Sequence, residues 1–253
     1  MRVAVSGSTG LIGTRLVRDL RAEGHEVLAL ARPGSAVAPG TTPVAWDPVR
    51  ETIDGEALEG LDAVVHLAGA GIGDARWTED RKRLIMGSRV DGTTLLSRAI
   101  AKLRRPPAVL LSASGVGYYG DTGDRITDES GPAGDDFTAD VCQAWEAATA
   151  PAEQAGVRVA HLRSGVVLAT EGGALARQLP FFRAGLGGRS GSGRQYLSWI
   201  SLHDETRAIR FLLEADLSGP VNLVAPEPVF NSEYARTLGR VLRRPTTIIP
   251  MFG

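Results

Sequence analysis

The first third of the chain alternates between short apolar runs and a segment with helical spacing. Residues 2–6 and 26–31 are apolar runs of strand length, and 62–68 (DAVVHLA) is a third, apolar on both faces as strands of a parallel sheet are. Between the first two runs, apolar side chains recur on one face of a helix. These are Leu11, Ile12, Leu16, Val17 and Leu20. The pattern predicts consecutive β-α-β units.

The alternation continues through the middle of the chain. It predicts a long helix over 78–103, a strand over 108–113, a helix from Asp136 or Thr138 to about Gln154, and a strand over 157–168. This order is typical of an α/β fold with a doubly wound parallel sheet. Beyond Thr170 the pattern loosens. We therefore expect a core over 1–168 and a small C-terminal α/β lobe over 169–253, interleaved with the core and facing the substrate.

Composition excludes several classes of protein. The 253 residues carry a formal charge of −1, and this balance argues against nucleic acid as the main partner. One cysteine, Cys142, excludes an internal disulfide, and four scattered histidines lack ligand spacing, so we assign no metal. No apolar run approaches the roughly 20 residues of a membrane helix. We expect a soluble bacterial cytoplasmic protein, monomeric or homodimeric, with no membrane partner.

A glycine motif links the first strand to the first helix. It reads Gly7-Ser8-Thr9-Gly10-Leu11-Ile12-Gly13, and its GxxGxxG spacing permits a tight turn against the N-terminus of the helix. Free N–H groups and the helix dipole at such a turn bind the pyrophosphate of a dinucleotide. The motif alone is weak evidence, but its place on the first strand of a β-α-β unit predicts cofactor binding. We assign binding to Gly7, Thr9, Gly10, Leu11, Ile12 and Gly13.

The end of the second predicted strand selects the cofactor. A carboxylate there would bind the ribose hydroxyls of NAD, whereas an arginine pairs with the 2′-phosphate of NADP. The strand ends Leu30-Ala31-Arg32-Pro33, with no acid. This favours NADP(H) over NAD, with Arg32 as the phosphate ligand; otherwise Arg32 is a solvated residue that opens a loop.

Four segments, including the glycine motif, resemble the extended short-chain dehydrogenase/reductases. They are GSTGLIG at 7–13, DAVVHLAGAG at 62–71, LLSASGVGYYG at 110–120 and LRSGVVL at 162–168. Segments such as AWDP at 45–48, CQAWE at 142–146 and SWI at 198–200 resemble more closely the atypical "epimerase family" branch, some members of which carry a SulA-like cell-division-inhibitor label. Members of this branch continue into a further C-terminal segment, so we expect this chain to be truncated.

The resemblance implies a Rossmann fold and several residue roles. Leu67, Ala68 and Gly69 would pass under the adenine-ribose side of the cofactor, Arg89 would project toward it, and Val166 would lie near the nicotinamide carboxamide. Ser112, at the end of the fifth strand, joins the candidate cofactor-binding residues. Arg89 stands where the extended group usually has asparagine, and Ser201 where this branch has histidine, so the roles of those two positions need not be conserved.

The usual proton-transfer pair of this superfamily is absent. A lysine four residues after a tyrosine lowers the pKa of the phenol, which is otherwise about 10 and a poor base at neutral pH. Of the 28 basic residues only Lys82 and Lys102 are lysines, and no Tyr-x-x-x-Lys exists in the chain. If Glu146 is taken as the anchor of the helix predicted to end at about Gln154, Thr138 and Cys142 occupy the corresponding places.

Two catalytic candidates remain, Ser114 and Tyr118. Ser114 would touch the substrate or the nicotinamide, and Tyr118 would supply a proton or pack as a lid. Arg163 lies in an otherwise apolar strand and is expected to pair with an acid. The main hypothesis is an NADP(H)-dependent oxidoreductase or epimerase-like enzyme acting on a small molecule. A non-catalytic NADP-sensing regulatory protein is the second hypothesis, and a nucleotide-sugar epimerase or dehydratase is the third.

Overall fold

An eight-stranded sheet forms the centre of the molecule. The computed structural model describes residues 1–251, with the backbone alone for residues 247–251. The described residues contain fourteen strands, of which eight form this sheet and the other six form three two-stranded sheets. They are β1 (Arg2–Ser6), β2 (Glu26–Ala31), β3 (Thr42–Asp47), β4 (Thr52–Ile53), β5 (Ala63–His66), β6 (Val109–Gly115), β7 (Arg158–Ser164), β8 (Val166–Leu168), β9 (Gly188–Ser190), β10 (Tyr196–Leu197), β11 (Trp199–Ser201), β12 (Gly219–Leu223), β13 (Val229–Phe230) and β14 (Thr247–Met251).

Helices cover both faces of this sheet. They are α1 (Leu11–Ala22), α2 (Glu79–Ile100), α3 (Phe137–Ala147), α4 (Ala150–Gln154), α5 (Gly173–Arg183), α6 (Leu202–Glu214) and α7 (Asn231–Leu242), with short 3-10 turns at Glu56–Leu58 and Val116–Tyr119. Side chains of each strand alternate between two cores. Val3 and Val5 pack with α1 and α6 on one face, whereas Ala4 packs with α2 and α4 on the other.

The strand order places a topological switch point at β1. The order is β12-β7-β6-β5-β1-β2-β3-β4, with parallel pairing except for the antiparallel edge pair β3–β4. The chain moves outward from β1 through β2 and β3, then returns to β5 on the other side. This is the predicted doubly wound fold, in which ligands bind outside the carboxyl ends of the strands at the switch point. The C-terminal region contributes β12 to the same sheet.

Two predicted elements are interrupted. The helix predicted to reach Gln154 is divided into α3 and α4, because Pro151 has no N–H to continue the ladder. Asp136 caps α3 by accepting from the Ala139 N–H at 2.9 Å. The strand predicted over 157–168 breaks at Gly165. The Gly165 N–H still donates to the Leu223 carbonyl of β12 at 3.0 Å, whereas the next N–H, that of Val166, donates to the Ser198 carbonyl at 2.8 Å.

The helices have no membrane-spanning character in the part of the chain that the structure describes. None of them combines the length and the apolar composition that crossing a bilayer requires.

Candidate functional site

The glycine motif forms a tight turn between β1 and α1. Gly7 has φ of 68°, a conformation that favours glycine, and a Cβ there would lie 3.0 Å from the backbone of Leu67 and Ala68. A Cβ on Gly13 would lie 2.1 Å from the Gly7 carbonyl oxygen. The Gly10 N–H closes the turn by donating to that same oxygen at 3.0 Å. Side chains at Gly7 and Gly13 would therefore displace the turn.

The turn exposes the N-terminus of α1 at the switch point. Gly10 precedes the helix and no side chain caps it, while Thr9 and Gly10 are exposed. The first N–H groups of a helix have no acceptor within it and attract an anion. The close-packed glycine backbone beneath these donors is the cradle that a dinucleotide pyrophosphate requires. The residues present therefore fit the predicted cofactor group.

A buried serine joins the ends of β1 and β5 under this turn. The Ser6 hydroxyl accepts from the N–H groups of Leu67 (3.0 Å) and Ala68 (3.2 Å), and it lies 2.7 Å from Nδ1 of His66. Burial lowers the pKa of His66 to about 4, so its ring is neutral at physiological pH. In the neutral ring protonated at Nε2, Nδ1 accepts a hydrogen bond from the Ser6 hydroxyl. This network holds Leu67 and Ala68 against Gly7.

Arg89 projects from α2 toward the loop after β5. Its Nη1 donates to the carbonyls of Ala70 (3.0 Å) and Ile85 (3.1 Å), and its guanidinium lies 4.8 Å from the centre of the Trp145 ring. Burial lowers the pKa of Arg89. A Cβ on Gly69 would lie 3.2 Å from the guanidinium carbon, so the glycine leaves room for the Arg89 side chain beside the loop after β5.

A buried ion pair occupies the ends of β6 and β7. Arg163 donates from Nε and Nη2 to the two carboxylate oxygens of Glu146, each at 2.8 Å. Ser114, the neighbour of Arg163 across the two strands, donates to Glu146 at 2.7 Å. Burial alone would raise the pKa of Glu146, but the hydrogen bonds from Arg163 and Ser114 hold it below its ordinary value. The expected acidic partner of Arg163 is thus confirmed as Glu146.

Both tyrosines of the following turn contact Arg163. The guanidinium carbon lies 3.4 Å from the ring centre of Tyr118, and Nη1 donates to the Tyr119 hydroxyl at 2.9 Å. Tyr119 in turn donates to Asn222 of β12 at 2.7 Å. Tyr118 and Ser114, the two catalytic candidates, are therefore held by the same ion pair, one through Arg163 and the other through Glu146.

Comparison with known proteins identifies the family. Residues 3–224 match the model of the family described as "NAD dependent epimerase/dehydratase family". The chain belongs to this family. Among its relatives, "Epimerase family protein Mb2239" of Mycobacterium bovis is 47% identical over 248 residues, which cover 98% of this chain and 81% of the relative. Human "Epimerase family protein SDR39U1" is 40% identical over 249 residues, covering 96% of this chain and 81% of that protein.

Solved structures of other family members share the fold. The crystal structure of human SDR39U1 (isoform 2) with NADPH has a TM-score of 0.88 and 39% identity, covering 99% of this chain and 83% of that one. A nucleoside-diphosphate sugar epimerase from Corynebacterium glutamicum has a TM-score of 0.81 and 38% identity. The match covers 97% of this chain, which spans about half (52%) of the Corynebacterium protein.

Two side chains of this epimerase-family chain were predicted to occupy the places of the superfamily's tyrosine and lysine. Thr138 and Cys142 lie on the side of α3 that faces the turn after β6, since a Cβ on Gly117 would lie 3.2 Å from Cβ of Thr138 and 3.9 Å from Sγ of Cys142. Burial raises the pKa of the Cys142 thiol, which therefore stays protonated.

The other predicted residues lie at the carboxyl edge of the sheet or near it. Arg32 is exposed directly after β2, and Val166 begins β8, held by its N–H to the Ser198 carbonyl at 2.8 Å. Ser112 is fully buried within β6 between its sheet partners His66 and His161. The cofactor roles of these three residues stay predictions.

Sequence reasoning missed one buried carboxyl. Glu205 of α6 has no solvent exposure, accepts from the Ser164 hydroxyl at 2.6 Å through Oε1, and has no hydrogen-bond partner for Oε2 among the described residues. Burial raises its pKa to about 7, and the bond from Ser164 offsets part of that rise. Ser164 ends β7, one residue before the break at Gly165, so the carboxyl lies behind the edge that carries Val166.

Proposed function

We propose that this protein binds NADP(H) at the carboxyl edge of the sheet and uses it in an oxidoreductase or epimerase-like reaction on a small molecule. The observation that carries the proposal is the glycine turn, which is packed too closely at Gly7 and Gly13 to admit a Cβ and leads into a helix that no side chain caps. The NADPH in the human relative's structure supports the choice of cofactor.

All the predicted binding residues except the buried Ser112 have a place in this proposal. The turn from Gly7 to Gly13 and the N-terminus of α1 hold the pyrophosphate, and Arg32 pairs with the 2′-phosphate. Leu67 to Gly69, fixed by Ser6, line the adenine-ribose side. Arg89 adds positive charge beside Gly69, and Val166 lies at the nicotinamide end.

Arg32→Ala is expected to weaken NADPH binding about tenfold or more and to leave NADH binding nearly unchanged. An arginine–phosphate pair contributes a charge-assisted hydrogen bond of roughly 1.5–3 kcal/mol, which NADH cannot make. Fluorescence titration of both nucleotides against parent and variant measures the difference.

Arg104→Ala is the matched control for this titration. Arg104 is also exposed, but it lies in the loop before β6 at the amino edge of the sheet. Its replacement should change neither affinity. Equal affinity of the parent for NADPH and NADH, or equal effects of the two substitutions, would overturn the assignment of Arg32.

The chemistry rests on Ser114 and Tyr118. NADP(H) supplies the two-electron redox step when it is bound. Glu146 fixes the Ser114 hydroxyl at the end of β6, and the Arg163 guanidinium supports the Tyr118 ring, so the substrate is oriented by Ser114 and exchanges a proton with Tyr118. In this arrangement the Glu146–Arg163 pair positions both catalytic candidates, and Arg163 takes the place of the superfamily's lysine as the cation beside the tyrosine.

Ser114→Ala and Tyr118→Phe are each expected to lower kcat about 100-fold or more, the usual contribution of a proton-transfer group, while NADPH affinity stays within about twofold of the parent. The assay follows NADPH consumption with a panel of small carbonyl compounds and sugar nucleotides. Ser130→Ala, in an exposed loop, is the control. Full turnover in both site variants would refute the catalytic assignment.

A regulatory protein that senses NADP is the second candidate. It is favoured by the absence of a Tyr-x-x-x-Lys pair from the sequence and by the Glu146–Arg163 pair, in which the carboxylate neutralises the guanidinium that contacts Tyr118. Tight NADPH binding with no turnover on any compound of the panel would support it over the enzyme.

A further inference from the structure

A glycine-rich segment leaves the carboxyl end of β5 beside the glycine turn. We name residues 69–77 (GAGIGDARW) the strap; they follow Leu67 and Ala68, whose backbone packs against Gly7. Gly69, Gly71 and Gly73 recur at alternate positions, and residues 71–77 are exposed. The base of the strap is anchored, since the Trp77 indole donates to the Ile72 carbonyl at 2.9 Å and its ring packs edge-on against Phe137 of α3 at 5.3 Å.

Helix α5 faces the strap from the other side of the turn. Its first residues rest on the start of α1, because a Cβ on Gly172 or Gly173 would lie 3.1 or 3.0 Å from the Leu11 side chain. No side chain caps α5 at Gly172. The N-termini of α1 and α5 therefore lie together at the switch point, and α5 extends from there toward the strap.

One arginine of α5 connects this helix to the strap. Arg177 donates from Nη1 to the Gly73 carbonyl and from Nη2 to the Asp74 carboxylate. Arg81 of α2 donates to the Gly71 carbonyl and lies 3.6 Å from Asp74. The hydrogen bond from Arg177, together with the charges of Arg177 and Arg81, holds the pKa of Asp74 below its ordinary value. We call Asp74, Arg81 and Arg177 the clasp.

We propose that the strap is a lid over the bound dinucleotide and that the clasp sets how long the cofactor stays. This inference rests on the proposed cofactor site. The glycine turn forms the floor beside α1, and α5, the clasp and the strap form a closed ring of contacts above it. A pyrophosphate at the N-terminus of α1 lies inside that ring, so it leaves only when the clasp opens.

The ion pair of the clasp is weak enough to open. The Asp74 and Arg177 side chains are 50% and 58% exposed, and exposed ion pairs of this kind are weak and screened by salt. The glycines of the strap give its backbone freedom to move, while Trp77 holds its base. A lid whose base is fixed and whose closing ion pair is weak can open to exchange ligand while the fold beneath it stays intact.

Trypsin cleavage tests the lid without cofactor. Arg76 lies in the exposed strap, and its rate of cleavage follows the population of the open strap. Asp74→Asn is expected to raise cleavage after Arg76 by about 2- to 5-fold, the range set by an exposed ion pair. Glu26→Gln breaks the Arg2–Glu26 pair, which has similar exposure (45% and 54%) at the amino edge, and should not change it.

NADPH dissociation tests the clasp directly. Stopped-flow displacement should give a rate about 2- to 5-fold faster in Asp74→Asn than in the parent, with the difference lost in high salt. Glu26→Gln should keep the parent rate throughout. Dissociation and cleavage in Asp74→Asn equal to those in Glu26→Gln would overturn the lid. A parent that does not bind NADPH would refute the proposed function, and the cleavage comparison still decides whether the clasp holds the strap.

Discussion

Arg163→Met is expected to lower the free energy of unfolding by about 3–5 kcal/mol. The substitution leaves the Glu146 carboxylate buried with only Ser114 as a strong donor, and it removes the guanidinium that supports Tyr118 and binds Tyr119. A buried charge without its partner is among the most destabilising changes in a protein core. Urea unfolding followed by circular dichroism measures the loss.

Two companion variants separate this effect from loss of packing. Arg2→Met breaks the exposed Arg2–Glu26 pair and should cost at most about 1 kcal/mol. Arg163→Met combined with Glu146→Leu removes both charges and should recover most of the stability, because apolar replacement of a whole buried pair is often neutral. If Arg163→Met costs no more than Arg2→Met, the pair does not support the ends of β6 and β7.

Glu205→Gln is expected to stabilise the protein, and more strongly at pH 8 than at pH 5. The glutamine keeps an acceptor for Ser164 and replaces the unpartnered Oε2 by a group that carries no charge. At pH 8 the parent must ionise a carboxyl with no solvent exposure, whereas the variant has nothing to ionise. Denaturant unfolding at a series of pH values measures the difference between the two.

The sign and size of this effect follow from linkage. The pKa of Glu205 rises from 4.5 to about 7 on folding, so between these values the folded protein binds more protons than the unfolded chain. Stability of the parent therefore falls as pH rises through this window, by up to about 3 kcal/mol at 1.36 kcal/mol per pKa unit. Glu214→Gln, exposed on the same helix, should show the same dependence of stability on pH as the parent. If the free energy of unfolding changes with pH in the same way in Glu205→Gln and in the parent, the prediction is wrong.

The spacing of apolar residues predicted the sheet, because the strands are apolar on both faces and the helices beside them on only one. The runs at β1, β2 and β5 and the stripe on α1 needed no tertiary information, and they fix the switch point where the glycine turn lies. The interruptions at Gly165 and before α4 were not predicted. Gly165 breaks the strand because Ser198 approaches within 2.7 Å of its missing Cβ, a contact between segments distant in sequence.

The polar part of the site depends on partners that sequence order does not reveal. An acidic partner was predicted for Arg163, but Glu146 lies on a helix 17 residues away and its bond to Ser114 required coordinates. Glu205 did leave a signal, because it falls in line with Leu202, Ile209 and Leu212 on the apolar stripe of α6. The clasp joins residues 103 positions apart, and no pattern in the chain predicts that contact.

The bond from Ser114 to Glu146 also defines the polarity of the site. Because Glu146 is ionised and can only accept, the single hydroxyl hydrogen of Ser114 is committed to it. The oxygen then presents only lone pairs to its surroundings. A carbonyl oxygen brought against Ser114 would meet an acceptor, whereas an alcohol or an amine would meet a matching partner. The Ser114 oxygen would therefore favour a hydrogen-bond donor, the reduced form of such a group, over the carbonyl form.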